Sequence, residues 1–184
     1  MQTLARLRVP LGFALGALVL WLATPTPHSL LAGAPIAAAG EAIRFWAAGH
    51  VRKAREVTVS GPYRWMAHPL YAGSSLMGAG LAVACASAPV ALLIAVYLIA
   101  TLTAAMKREE RFLRQAFGGD YDRYRRDTGN LAAARRFSFA LAMSNREYRA
   151  VAGLALAVLL LAWKATYNEP FRGTAGPRAV RPDG

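Results

Sequence analysis

From Leu70 to Met106 the chain carries no charged side chain, an apolar stretch about twice the ~20 residues that one helix needs to cross a bilayer. Such a stretch folds most simply as a helical hairpin. Ser87-Ala88-Pro89, near its middle, provides an uncharged turn. A hairpin returns the chain to the face it left, so the segments flanking it are brought together. Those segments are Gly61-Pro62-Tyr63-Arg64-Trp65-Met66-Ala67-His68-Pro69-Leu70-Tyr71-Ala72-Gly73 before it and Lys107-Arg108-Glu109-Glu110-Arg111-Phe112-Leu113 after it. An imidazole and two adjacent carboxylates are thereby expected on one face.

The rest of the chain fits a membrane reading. Of 184 residues 55% are hydrophobic, yet the formal charge is +12, and the mean hydropathy is +0.28. A soluble domain of this size is less apolar; basic segments between membrane passes produce both traits at once. The fold class expected is all-α, a polytopic membrane bundle of about five transmembrane helices. Residues 1–167 form one integral membrane domain, and residues 168–184 form a basic tail expected to be disordered. The single Cys85 cannot form an intramolecular disulfide and lies in an apolar stretch, which suits a small buried thiol.

The expected spans are Val9 to Ala23, Leu30 to His50, two from Leu70 to Met106, and Tyr148 to Trp163. The first, with Arg6 and Arg8 before it and small residues at Ala32-Gly33-Ala34, also has the outline of a signal peptide. A retained span is preferred because the next apolar run follows almost at once and can pair with it. Gly12 and Gly16 form a GxxxG, which chance explains equally well in so Gly-rich a chain. Glu41 and Arg44 lie within the second span, where ionisable groups must face the bundle interior, pair with each other or line a polar cavity. Phe137 to Met143 is too short to cross and is expected to be interfacial or re-entrant.

Lys and Arg concentrate at the N-terminus, in the Arg52 to Arg64 connection and in the Lys107 to Arg136 segment, whereas the turns near Thr24 to Ser29 and Ser87 to Pro89 have none. The positive-inside rule therefore puts the three basic segments, and the His and Glu patches with them, on the cytoplasmic side of the cell (inner) membrane. Arg172, Arg178 and Arg181 in the tail oppose this weakly. Attraction to anionic headgroups accounts for the basic charge beside the spans, so no nucleic-acid partner is expected.

Taken singly, each patch has an ordinary reading. A Lys-Arg-Glu-Glu-Arg run after a span is commonly a solvated flank, and His-Pro at a helix start is commonly a turn device. Their shared position on one hairpin suggests a site. Glu109 and Glu110 are about 100° apart on a helix, so one is expected to face a ligand while the other meets Arg114 or an Arg of the basic loop. Tyr71, Tyr121 and Tyr124 are expected nearby.

The order GPYRWMAHPLYAG, hairpin, Glu-Glu pair and Phe117-Gly118-Gly119-Asp120-Tyr121-Asp122-Arg123-Tyr124 resembles the isoprenylcysteine carboxyl methyltransferase and phospholipid methyltransferase family of membrane enzymes. The likeness covers about Gly40 to Tyr124. It implies a small helical membrane fold that binds S-adenosylmethionine in a cytoplasmic-face pocket and methylates a lipid-borne or otherwise hydrophobic acceptor, such as a prenylcysteine carboxylate or a phospholipid amine. It also implies that His68, Pro69, Tyr71, Gly73, Glu109, Glu110, Tyr121 and Tyr124 surround the cofactor, with His68, Glu109 and Arg64 as the catalytic set and no metal. Two positions depart from the family pattern. Ala67 stands where an Arg usually precedes His-Pro, and Asn130 to Arg136 replaces the usual basic residue and Pro after the second Tyr. Arg64 or an Arg of the 123 to 126 run is the candidate substitute for the missing charge.

The chemistry suits that donor: carboxylates accept from a ribose diol or an amine, aromatic faces favour a sulfonium, and a cation binds the carboxylate end. A carboxylate acceptor needs no base, whereas an ammonium acceptor must first lose a proton to His68 or a Glu. The sequence leaves two rivals: a non-catalytic membrane scaffold of the same fold, and a nicotinamide-dependent membrane reductase.

Overall fold

The computed structural model describes residues 14–52, 55–126 and 135–173, with the side chains of 168–173 left aside. The start of the first expected span, the Asn130 to Ala134 part of the altered segment and the last eleven tail residues lie outside it. Among the described residues the chain is all helical, with seven α-helices: α1 (14–22), α2 (Pro27–Ala48), α3 (Pro69–Cys85), α4 (Ala88–Phe117), α5 (Gly119–Arg126), α6 (Phe139–Ser144) and α7 (Tyr148–Gly173), plus a 3-10 turn at Gly61–Arg64.

α4 and α7 are long and apolar enough to cross a membrane, and only 6% and 11% of their most apolar stretches are buried within the protein. A soluble core helix would hide that surface, so these faces are suited to lipid. α3, at 17 residues, is about 25 Å long, a few ångströms less than the hydrocarbon layer. The apolar part of α4 ends near Met106, and the helix continues unbroken to Phe117, so its charged last turns extend beyond the expected span. α7 likewise runs to Gly173, past the boundary expected at residue 168.

The densest packing joins α2 to α3. Gly33, Ala37 and Gly40 on α2 lie against Gly73, Gly80 and Ala84 on α3, and a Cβ at Gly33, Gly40 or Gly80 would overlap the partner's backbone. Small residues at two-turn spacing let the two backbones touch. Hydrogen bonds lock one end of this pair: Thr24 donates through its amide to Cys85 O and through its hydroxyl to Ala86 O, both at 2.9 Å, and Ser29 Oγ donates to Ala84 O at 3.0 Å. Thr26 and Ser29 also form a reciprocal cap at the start of α2. Lys164 of α7 donates to the carbonyls of Leu20 and Trp21 at 2.7 Å each, satisfying the end of α1. Cys85 is free and buried in the cluster formed with Ala23, Ala84, Val90 and Leu161.

At the other end, Arg44 links α2 to α3 and to the turn before α7. It contacts Glu41 at 3.3 Å, three residues away as the spacing suggested, and Glu147 at 2.5 Å, and it also donates to Ser74 on α3. Phe137 and Phe139 pack on Phe45, and Asn145 donates to the carbonyls of Ala48 and Val51 at 2.8 and 2.9 Å. The segment expected to be interfacial or re-entrant is therefore α6 with its approach, laid across the end of α2.

Candidate functional site

The site is built on the strap between α2 and α3. Gly61 has φ +60, and a side chain there would run into the His50 ring, so the strap turns sharply into the 3-10 turn that buries Pro62 and Tyr63. His68 caps α3 and Pro69 supplies its first turn with a fixed φ; the His68 carbonyl accepts from the amides of Tyr71 and Ala72, both at 3.1 Å. The imidazole is thus held at the mouth of the α3–α4 hairpin.

Glu109 and Glu110 arrive from α4. His68 Nε2 lies 3.1 Å from Glu110 Oε1, and Nδ1 lies 4.0 Å from Glu109 Oε2. Both carboxylates therefore face one ring from different edges, although they point apart on their own helix. Glu110 also pairs with Arg125 at 3.2 Å, whereas Arg114, the expected partner four residues on, pairs with Asp122 at 3.4 Å. Glu109 is left facing a cavity.

The chain reverses after α4 at Gly118, whose φ of +48 and ψ of −121 suit glycine alone. The reversal lays α5 back over the strap. Tyr124 Oη donates to the Tyr63 carbonyl at 2.9 Å, and Tyr121 is buried with a hydroxyl that has no protein partner. Burial pushes the Tyr63, Tyr121 and Tyr124 phenols up, with Glu109 adding to the effect at Tyr63 and Glu110 at Tyr121. At neutral pH these hydroxyls are donors.

Two cavities border this constellation. The first, about 650 Å³, is an apolar groove between α3 and α4. Ala72, Ser75, Gly78, Ala79 and Ala82 form one wall, Ile94, Leu98, Ile99, Leu102 and Met106 the other, and His68, Tyr71 and Arg125 stand at its polar end. The second, about 220 Å³, lies under the strap and is the more polar of the two: Arg52, Glu56, Thr58, Tyr63, Glu109, Tyr121 and Tyr124 bring polar groups to it, while Val51, Val57, Ala67, Phe112 and Leu113 supply apolar wall. Thr58 Oγ1, like Tyr121 Oη, is buried without a partner. Two orphaned hydroxyls and a half-exposed carboxylate in one small cavity are a set of groups that a polar ligand would satisfy.

Of the residues singled out in the sequence, His68, Glu109, Glu110, Tyr121 and Tyr124 converge, and Tyr71 joins them on the groove side, its ring 5.6 Å from that of His68. Pro69 is buried at the helix start. Gly73 lines neither cavity; a Cβ there would sit 2.7 Å from Gly40 O and from Arg44 Cγ, which gives it a packing role against α2. Arg64 also lines neither cavity and lies over the Trp65 ring at 5.9 Å; the cation at the groove is Arg125. The sequence reading missed Thr58, Glu56 and Arg52. Thr58 carries no motif, and only the folded strap reveals its unpaired hydroxyl. Among the described residues no group of three His, Cys, Asp or Glu could hold a metal.

No curated protein and no solved structure matches this chain. A family profile does: phospholipid methyltransferase, over residues 11–120, more than half of the chain and including α2, α3, the strap and the Glu pair. The chain belongs to the phospholipid methyltransferase family, methyltransferases that act on lipid-type substrates.

Proposed function

We propose that this protein binds S-adenosylmethionine in the polar cavity and methylates the amine of an aminophospholipid whose acyl chain lies in the α3–α4 groove, with the site facing the cytoplasm and five membrane passes formed by α1 to α4 and α7. The observation that carries the proposal is the junction of the two cavities: an apolar groove open along the hairpin meets a polar cavity holding orphaned donors, and His68 and Glu109 stand where they meet. The residues present fit the donor. Glu109 can accept from its hydroxyl or ammonium groups, Thr58 and Tyr121 can bond to its polar edges, Arg52 can pair with its carboxylate, and Tyr63 and Tyr124 offer aromatic faces.

When bound, S-adenosylmethionine supplies an electrophilic methyl on a sulfonium and leaves as a neutral thioether. The protein's own contribution is alignment, exclusion of water and handling of one proton. If His68 Nε2–H donates to Glu110, the Nδ1 lone pair faces the Glu109 side. That lone pair would take the proton of the incoming ammonium, freeing the amine's electron pair for the methyl group that the bound donor would supply. Glu110 and Arg125 hold the ring in that tautomer and stabilise the imidazolium. An amine acceptor suits this junction better than a carboxylate, since its two carboxylates stand against one arginine and one histidine. The bonds from α3 and α7 to Thr24, Leu20 and Trp21 support a first helix that is retained.

Binding of radiolabelled S-adenosylmethionine to the purified protein in nanodiscs tests the proposal, followed by methyl transfer to phosphatidylethanolamine. Saturable binding is expected, weakened roughly tenfold or more in Glu109→Gln for loss of a charge-assisted hydrogen bond. Well-folded protein that binds no cofactor would refute the reading and leave a scaffold.

A further inference from the structure

Among the described residues, Ala67 alone lines both the apolar groove and the polar cavity. It stands on the strap between Met66 and His68, and the strap there is pinned from above: Tyr124 Oη, donating to Tyr63 O at 2.9 Å, also reaches Met66 O at 3.4 Å. Next to it, the His68 ring belongs to the groove side while Glu109 belongs to the cavity side, with 4.0 Å between them. The two spaces therefore share a residue whose side chain is a single methyl group, on backbone that Tyr124 holds through the neighbouring carbonyls.

Resting on the function proposed above, we infer that Ala67 is the aperture through which the acceptor headgroup meets the methyl donor, and that the size of residue 67 sets how bulky a headgroup can react. Most of the groove's walls lie further along α3 and α4, where the acyl chain would rest, and the donor cavity has the remainder of its walls from Thr58, Glu109 and α5. A larger side chain at 67 occupies the wall that the two spaces share. It narrows both spaces at their junction, so the effect falls more on transfer than on the binding of either partner and grows with the bulk of the amine. Successive methylation enlarges that amine at every step, so the aperture acts most strongly on the acceptor that already carries two methyl groups.

The test uses the intact protein in nanodiscs with phosphatidylethanolamine and its N,N-dimethyl derivative as acceptors. Cofactor binding and methyl transfer are measured separately. Ala67→Leu is expected to bind S-adenosylmethionine within about threefold of the unaltered protein, yet to lose roughly tenfold or more in transfer, the scale for a side chain that misfits by a few methylene groups. The loss should be greater for the dimethylated acceptor. Ala67→Gly, which cannot over-pack, should move the ratio of the two rates the opposite way. If both variants transfer to both acceptors in the original ratio, the aperture is overturned while the function stands. If the unaltered protein neither binds the cofactor nor transfers methyl groups, both fall together.

Discussion

α3 presents small residues on two sides, with opposite results. Towards α2, Gly73, Gly80 and Ala84 meet Gly33, Ala37 and Gly40, and the backbones come into direct contact. Towards α4, Ala72, Ser75, Ala79 and Ala82 meet Ile94, Leu98, Ile99 and Leu102, and a groove of about 650 Å³ remains. Small residues close a helix pair only when the facing helix is also small; opposite branched side chains, they leave space. The first side gives the protein a rigid frame and the second a place for an apolar ligand, so one helix supports both structure and site.

The largest expected effect comes from breaking the closed side. A Cβ at Gly80 would overlap the Ala37 backbone nitrogen, and backbone cannot rotate away as a side chain can. Gly80→Val should therefore cost more than the ~1–3 kcal/mol typical of an over-packed core, seen as loss of monodisperse protein in size-exclusion chromatography. Gly16 is the contrast, since a Cβ added there would meet nothing within 4 Å: Gly16→Ala should leave thermal stability unchanged or slightly raised. Equal tolerance at both positions would mean that the α2–α3 contact is looser than described.

Filling the open side should give the next largest effect, and of a different kind. Ala79→Phe places a ring in the groove at a wall that is exposed rather than packed. Folding and cofactor binding should be kept, while transfer to phosphatidylethanolamine falls by roughly 10- to 200-fold. A variant that keeps full transfer would remove the groove from the acceptor's path.

This contrast also explains what could be read in the sequence. The hairpin was legible because an uncharged stretch of two spans' length has few alternatives, and with it the meeting of His68 with the Glu pair. The closed seam was not. Its glycines lie seven residues apart, Gly33 to Gly40 and Gly73 to Gly80, and only a partner helix distinguishes such a spacing from chance; the Gly12 and Gly16 pair is more conspicuous, yet a Cβ added at Gly16 would meet nothing within 4 Å. Glu41 and Arg44 were recognisable as a pair, but Glu147, more than a hundred residues on, completes the cluster. Of the two candidate cations left open, Arg64 and the 123 to 126 run, Arg125 reaches the groove because Gly118 reverses the chain, and a count of charges could not choose between them.

A smaller effect is expected where α5 holds the strap. Tyr124→Phe removes the 2.9 Å bond to Tyr63 O and leaves that buried carbonyl without its donor, at a cost of about 1–3 kcal/mol. The strap forms a wall of both cavities, so cofactor affinity should drop along with melting temperature. Tyr121→Phe is the comparison: its hydroxyl has no protein partner, so the protein's stability without cofactor should be kept or improved while cofactor affinity declines. A parallel loss of stability in both variants would argue that Tyr121 bonds within the protein instead of to a ligand.

The smallest effect belongs to a contact outside both helix pairs, between Glu56 on the strap and Arg135 before α6, 2.6 Å apart. The hydrogen bond from Arg135 holds the Glu56 carboxyl below its usual value of 4.5, against the opposing effect of partial burial. A carboxyl with a depressed folded-state pKa stabilises above its unfolded value and loses that contribution as the pH falls through the folded one. The protein should therefore lose a little stability on acidification from about pH 4.5 downward, and Glu56→Gln should flatten that part of the thermal unfolding profile. The change is slight because both side chains are partly solvated and salt screens them. Raising the salt concentration should shrink the difference between the two proteins, whereas Gly80→Val should be indifferent to salt, since its clash is steric. A pH profile in Glu56→Gln as steep as that of the unaltered protein would assign the acid sensitivity to another carboxylate, with Glu110 the next to examine because its hydrogen bond with His68 also holds its carboxyl below the usual value.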